Sequence, residues 1–317
     1  MYDLKALLAA VRPITGGEDG LAALVFSTGG RMYSYYRNVL LSVETPEGFP
    51  SFCVKGDPLV KAATSQTKMA VSESRLTLTS GKLRTWLPLD TESLLPEPVI
   101  PTDFKQVPED FIKALVGMAK LVPEEAPRVW STSLLVKGSY AYATDGGYIV
   151  RRKLNVQLPF ECALPKSLVT VLTKLKKPLG TMAFDGHQLH ITFNDGSRLS
   201  SPVYGESWPS VADFFMAQDM KPTPNELIEY LGQVKPFAEK GVLVDFEAPN
   251  VAKFFVRKDG VEAEARFEES WVEHNFTADL ADWVEFIHKG SQLYLGNKFA
   301  MIKHGDDTII LAAKTHA

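Results

Sequence analysis

Residues 108–115 read PEDFIKAL and residues 224–231 read PNELIEYL, the same apolar spacing displaced by 116 positions. Working backwards, residues 3–11 (DLKALLAAV) align with residues 111–119 (FIKALVGMA) at an offset of 108. The two offsets recur further along the chain: Phe52 in FCVKGDPLVKAAT, Phe160 in FECALPKSLVTVLT and Phe276 in FTADLADWVEFIH are separated by 108 and then by 116. A repeat constrains architecture more than local propensity does, because each copy must fold as the same supersecondary unit. Three helices therefore open three units.

Each unit closes on an alternating apolar pattern around a turn, in SRLTLTSGKLRTWLPL (74–89), HQLHITFNDGSRLSSPV (187–203) and NKFAMIKHGDDTIILAA (297–313). Alternation flanking a Gly-containing turn is a hairpin signal. Between the first helix and the Phe segment lie further strand-like runs, and the connecting stretches are proline-rich, with Pro96, Pro98, Pro101 and Pro108 before the second unit and Pro209, Pro222 and Pro224 before the third. Proline suits an extended linker and the first turn of a helix. Each unit thus reads helix, strands, helix, hairpin over about 105 residues, with boundaries at 1–103, 104–218 and 219–317. The fold class is α+β, with two helices per unit on antiparallel sheets.

Composition agrees with a globular chain: 317 residues, 45% hydrophobic and 23% charged. No apolar run reaches the roughly 18 residues that cross a bilayer, and Asp3 interrupts a start too short for a signal peptide, so a cytoplasmic location is expected and no membrane partner. Cys53 and Cys162 lie in apolar strand-like contexts and read as buried thiols. No phosphate loop, dinucleotide fingerprint, HExxH, CxxC or GxSxG is present. Of six histidines only His187 and His190 are close, and three residues apart on a strand they face opposite ways. Neither a metal, a cofactor nor a catalytic group is expected, which favours binding or scaffolding over an enzyme.

The net charge is −4, which argues against a protein that holds nucleic acid by counterion release over its whole surface. The charge is unevenly placed, however. The six segments read as helical (2–13, 55–68, 105–120, 165–177, 221–240, 277–289) carry +6 together, leaving −10 on the rest. A common surface made by those helices would be mildly basic and suit sequence-blind contact with phosphates.

Residues 142–151 (YATDGGYIVR) resemble the ATDGHRLA signature of bacterial sliding clamps, the beta subunit of DNA polymerase III. FECALPKSLVTVLTKL is similar to the strand-Pro-Lys-helix segment of that family, and SRLSSPVYGESWPSV to its final strand and Phe-Pro-Asp-Tyr turn. The resemblance covers nearly the whole chain. It implies a head-to-tail homodimer of three-domain subunits, closed into a ring with twelve helices lining the hole and duplex DNA passing through. The implied role is a DNA polymerase processivity factor, with a repeat-built assembly protein as the alternative. On that reading the phosphate contacts are Lys5, Arg12, Lys61, Lys68, Lys113, Lys120, Lys166, Lys174, Lys176 and Lys177, with Lys235 a weaker candidate. A pocket for the peptide tails of DNA polymerase and clamp loader maps onto Trp130, Thr144, Gly146, Ile149, Pro209, Phe214, Ile310 and Leu311.

The sequence also departs from the family pattern. Gly147 and Tyr148 stand where His-Arg is usual, Trp208 and Ser210 flank a proline normally set between Phe and Asp, and the end AAKTHA lacks a Met-Pro pair. A different partner preference is expected, and divergence with short length suits a phage-encoded version.

Overall fold

The computed structural model describes residues 3–11, 24–36, 39–91, 101–108, 110–158, 160–175, 177–203, 208–256, 261–267 and 274–314. The first repeat runs α1 (Leu4–Val11), β1 (Leu24–Thr28), β2 (Arg31–Tyr36), β3 (Val39–Glu44), β4 (Phe52–Lys55), α2 (Gly56–Ala62), β5 (Lys68–Val71), β6 (Arg75–Ser80) and β7 (Leu83–Pro88). The second runs β8 (Lys105–Gln106), α3 (Asp110–Ala119), β9 (Ser133–Lys137), β10 (Tyr140–Thr144), β11 (Tyr148–Lys153), β12 (Glu161–Pro165), α4 (Lys166–Leu175), β13 (Leu179–Phe184), β14 (Gln188–Phe193) and β15 (Arg198–Pro202). The third runs β16 (Lys221–Pro222), α5 (Asn225–Val234), β17 (Leu243–Glu247), β18 (Val251–Val256), β19 (Val261–Arg266), β20 (Phe276–Asp279), α6 (Leu280–Phe286), β21 (Gln292–Leu295), β22 (Phe299–His304) and β23 (Asp307–Ala312). The order of elements repeats as the sequence offsets require: Phe52 and Phe276 open β4 and β20, and Phe160 immediately precedes β12.

The helices form where apolar residues recur at core spacing. Leu4, Leu8 and Val11 of α1 are buried, as are Phe111, Leu115 and Met118 of α3. Asp3 caps α1, its carboxylate accepting from the Ala6 amide at 3.1 Å, which satisfies one of the free N–H groups of the first turn. In α4, Leu168, Leu172 and Leu175 face inward, and α4 packs on α3.

Contacts divide the chain into two compact units, residues 1–119 with 162–205, and residues 120–161 with 206–317. Each contains strands from two repeats. One sheet has the order β4-β1-β2-β3-β15-β14-β13-β8, so the meander of the first repeat continues into the hairpin of the second. Another has the order β12-β9-β10-β11-β23-β22-β21-β16, joining the second repeat to the third in the same way. The junctions are antiparallel, with Leu41 opposite Leu199 in the first sheet and Ile149 opposite Ile310 in the second. Two smaller sheets remain, β5-β6-β7 and β19-β18-β17-β20.

The core of the smaller sheet in the second unit is aromatic. Trp283 of α6 is fully buried, its ring centroid 4.5 Å from that of Phe246 and 6.1 Å from that of Phe276. Among the described residues its indole N–H has no hydrogen-bond partner. Replacing Trp283 by alanine is expected to lower the unfolding free energy by about 3–5 kcal/mol in urea titration. Trp283→Phe should cost clearly less, because it keeps most of the buried ring while removing an unsatisfied donor.

Candidate docking face and candidate phosphate-facing helices

The residues assigned to a peptide pocket all lie in the second unit, on or beside three adjacent strands. Across β10, β11 and β23 the register places Thr144 opposite Ile149 and Ile149 opposite Ile310, and β22 adds Met301 opposite Ile310. Side chains directly opposite one another share a face of the sheet, so these four form one row, in which Thr144, Ile310 and Met301 are buried and Ile149 is half-buried. Leu311 belongs to the other face. It pairs with Tyr148, whose ring sits edge-on to Phe286 of α6 at 5.0 Å and whose hydroxyl donates to the Leu121 carbonyl at 2.8 Å. Leu311 is fully buried on that helix side, so the pleat separates it from Ile310.

Two short 3-10 turns frame the row. Trp130, in the turn Val129–Thr132, meets Trp208 with ring centroids 5.0 Å apart, and the Trp208 indole donates to the Ser133 hydroxyl at 3.1 Å. Pro209 follows at the surface. The second turn, Ala212–Phe215, lies against β23; its Phe215 ring packs on Tyr142 at 5.8 Å while Phe214 stays 48% exposed. Tyr142, Phe215 and Met301 were not singled out from sequence. A strict two-residue alternation applied from Ile149 and Ile310 would have found Tyr142 by strand pairing, but Phe215 depends on how a loop folds back.

The YATDGGYIVR segment is the β10–β11 turn. The Thr144 hydroxyl donates to the Tyr148 carbonyl and accepts from the Gly146 amide at 3.1 Å. Asp145 accepts from the amides of Gly147 and Tyr148 at 2.9 and 3.3 Å, and Gly146 adopts φ +95°, a conformation glycine takes without a Cβ penalty. The signature therefore shapes a turn. Gly146 contributes backbone there and no apolar wall.

Of the ten basic candidates, Lys5, Lys61, Lys113 and Lys174 project from α1, α2, α3 and α4 and are exposed, and Lys166 is half-buried at the start of α4. Lys120 is exposed one residue past the end of α3. Lys68 is on β5, because α2 ends at Ala62 and Ala63 is extended. Lys177 is only 16% exposed, bound to Asp195 at 2.8 Å and to the Ser197 hydroxyl at 2.9 Å. Arg12 and Lys176 lie outside the described residues. Lys235 is exposed where a 3-10 turn follows α5.

Tighter helix boundaries change the charge reading. Lysines counted at the flanks fall outside the helices, and within α1–α6 five lysines face six carboxylates. The four helices of the first unit hold all five lysines and two of the acids, whereas α5 and α6 hold four acids and no lysine. Basic character belongs to the first unit's helices alone.

Among the described residues no group of His, Cys, Asp and Glu is arranged to hold a metal, and no helix is long and apolar enough to cross a membrane. His190 is buried between the Ser200 hydroxyl at 2.9 Å and Asp185 at 3.1 Å, while His187 is exposed in the preceding turn.

No protein-family profile and no curated protein sequence matches the chain. Solved structures do. The DNA polymerase III beta subunit of Pseudomonas aeruginosa aligns over 99% of this chain and 98% of its own, with TM-score 0.75 at 13% identity. The Helicobacter pylori beta clamp bound to a DNA ligase peptide aligns over 99% and 98%, with TM-score 0.72 at 12% identity. A griselimycin-bound sliding clamp of Pseudomonas aeruginosa gives TM-score 0.72 at 14% identity over 99% and 97%.

The chain has the bacterial sliding-clamp fold. Behind the sheet that carries the candidate docking row and the β10–β11 turn lies a buried carboxyl. Asp282 of α6 is pushed up to about 6 from its ordinary 3.8, first by burial and then by Asp145, with Lys240 opposing. Lys240 instead pairs with Asp145 at 2.8 Å.

A carboxyl whose folded pKa is raised binds its proton more tightly in the folded chain than in the unfolded one. Its burial is therefore cheapest at low pH, and stability falls as pH rises from about 4 to about 6. Asp282→Asn should flatten that fall and exceed the native chain in stability above pH 6, by up to about 3 kcal/mol. Urea titrations across that range check it.

Proposed function

We propose that the chain is a DNA sliding clamp, a ring of two copies that encircles duplex DNA and tethers replication partners through the docking face. The observation that carries this reading is the strand order of the four sheets. Each eight-stranded sheet joins a meander, at β3 or β11, to the last strand of the following repeat's hairpin, β15 or β23. The smaller sheets are the two missing halves. In the order of the repeats, β19 corresponds to β3 and β11, and β7 corresponds to β15 and β23.

Both are edge strands among the described residues, and exposed edges invite pairing with another chain. A second copy placed head to tail offers β7 to β19, a heterologous contact that closes after two subunits with three repeats each. Side chains support the match. On β7, Leu83 is 65% and Trp86 54% exposed, and Arg84 is exposed between them, while β19 presents exposed Glu262 beside Glu264, which pairs with Arg266 of its own strand at 2.8 Å. The helices of the three repeats then line the hole, with phosphate contact supplied by Lys5, Lys61, Lys113, Lys166 and Lys174. Lys120 and Lys176 extend that surface, as does Arg12. Lys68 and Lys177 are poorer candidates on their strand and ion-pair placements.

Topological tethering explains how a net acidic chain serves DNA: encirclement holds the duplex while affinity stays low. Retention on DNA tests it. Labelled protein loaded on a nicked circular plasmid should survive a high-salt wash that screens phosphate contacts, and should leave once the plasmid is linearised. Equal loss from circular and linear DNA would overturn the ring and favour a repeat-built assembly protein. In the low-salt regime, Lys5→Glu with Lys113→Glu and Lys174→Glu should reduce the slope of log affinity against log salt by about 3. An unchanged slope would place the phosphate contacts elsewhere.

A further inference from the structure

The first unit carries a small cavity at the junction of β3 with β15. Strand register aligns Tyr33, Ser42, Arg198 and Thr192 in one row and Tyr35, Leu40, Ser200 and His190 in the next, on the face opposite the Leu41–Leu199 pair. Arg31, at the start of β2, and Phe104, just before β8, line the same space. The cavity measures about 10 Å³, the space of about one water-sized sphere.

Two guanidiniums share it. Arg31 is 8% exposed and well anchored: Nε donates to the Ser42 hydroxyl at 3.1 Å, Nη1 to Glu44 at 3.1 Å, and Nη2 to the carbonyls of Ser42 and Gly196 at 3.4 and 3.2 Å. Half-buried Arg198 has no carboxylate within ion-pair distance and no hydrogen bond to its guanidinium among the described residues. Burial, and then the charge of Arg198, pull Arg31 below its ordinary pKa, with Glu44 opposing. The Glu44 side chain is 74% exposed, so water screens that opposition. The other acids at hand are committed, Asp185 to His190 at 3.1 Å and Asp195 to Lys177 at 2.8 Å. His190 also meets the Ser200 hydroxyl at 2.9 Å, so both its ring nitrogens are engaged. The cavity is therefore left with positive charge that nothing beside it cancels.

We infer that this cavity binds a phosphate-class oxyanion, one oxygen entering between Arg31 and Arg198 and the rest of the group held at the mouth by the Arg198 fork and the Thr192 hydroxyl. Size sets one limit, since the space admits a single oxygen and no ring or chain. Charge sets the other: two guanidiniums against one screened carboxylate suit a dianion better than a monoanion, and a planar fork of unused N–H donors matches a pair of phosphate oxygens. Occupancy ties β3 of the first repeat to β15 of the second and stabilises the junction. Every residue involved belongs to the first unit, so the site stands apart from the docking face and from the ring.

Thermal unfolding of the full-length chain, titrated with inorganic phosphate and in parallel with acetate and chloride at matched ionic strength, tests this. The native midpoint should rise with the logarithm of phosphate concentration above Kd, as binding to the folded state alone requires, and should rise less with either monoanion. In Arg198→Gln the apparent phosphate affinity should fall by about tenfold or more. Arg198→Lys, which keeps the charge and loses the fork, should also bind more weakly and serves if glutamine loosens the junction. The Lys5→Glu, Lys113→Glu, Lys174→Glu chain should respond to phosphate as the native chain does, which separates this site from the helices. A midpoint that follows ionic strength whatever the anion, or a phosphate response unchanged in both Arg198 variants, would overturn the inference. A response lost in the triple lysine variant would overturn it too, by placing the phosphate on the helices.

Discussion

Backbone pairing between strands of successive repeats is the constraint on which the rest of the structure depends. A three- or four-stranded half-sheet leaves an edge of unpaired N–H and C=O groups, and only a neighbour of the right polarity satisfies them. Leu41 against Leu199 and Ile149 against Ile310 show what that neighbour is within the chain: the closing strand of the next repeat. Three repeats in a line supply two such junctions and leave one half-sheet over at each end. The sheet topology therefore carries both the internal architecture and the reason to propose a second copy.

The same junction makes the proposed docking face. Ile149 and Ile310 come from different repeats and meet only because β11 and β23 pair, so the apolar row exists as a by-product of joining them. Tyr148 and Leu311 supply the opposite face and bind the sheet to Phe286 of α6, which fixes the platform from behind. The Asp145–Gly146 turn then sets where β11 begins.

Much of this was legible in the sequence because the repeat is written in the helices. Leu4, Leu8 and Val11 of α1, Phe111, Leu115 and Met118 of α3, and Leu227, Leu231 and Val234 of α5 are the matching buried positions, displaced by 107 and then 116, so the alignment of the first two helices at 108 is one residue out of register while that of the next two holds. Helix ends were less legible. The second helix of the first repeat stops at Ala62, six residues before Lys68, and no glycine marks the stop; the chain turns through Thr64 and Thr67, whose hydroxyls bond each other at 3.0 Å. That shift and its counterparts removed the basic excess from the helices as a whole and concentrated it in the first unit. Leu311 was misplaced because adjacent residues of a strand look equally apolar when both faces are covered. The stacking of Arg151 was not legible either, since its two partner rings come from β10 and from a 3-10 turn more than sixty positions away.

The central claim is that β7 of one copy completes the sheet of β19 in another, and the solution mass of the full chain, measured by light scattering during size-exclusion chromatography, tests it most directly. The account predicts a species of twice 35.1 kDa that dissociates to the single-chain mass when the exposed Leu83 and Trp86 are both changed to glutamate, with the circular dichroism of the fold unchanged. A native chain that stays at 35.1 kDa across the concentration range, or a dimer indifferent to Leu83→Glu and Trp86→Glu, would contradict it.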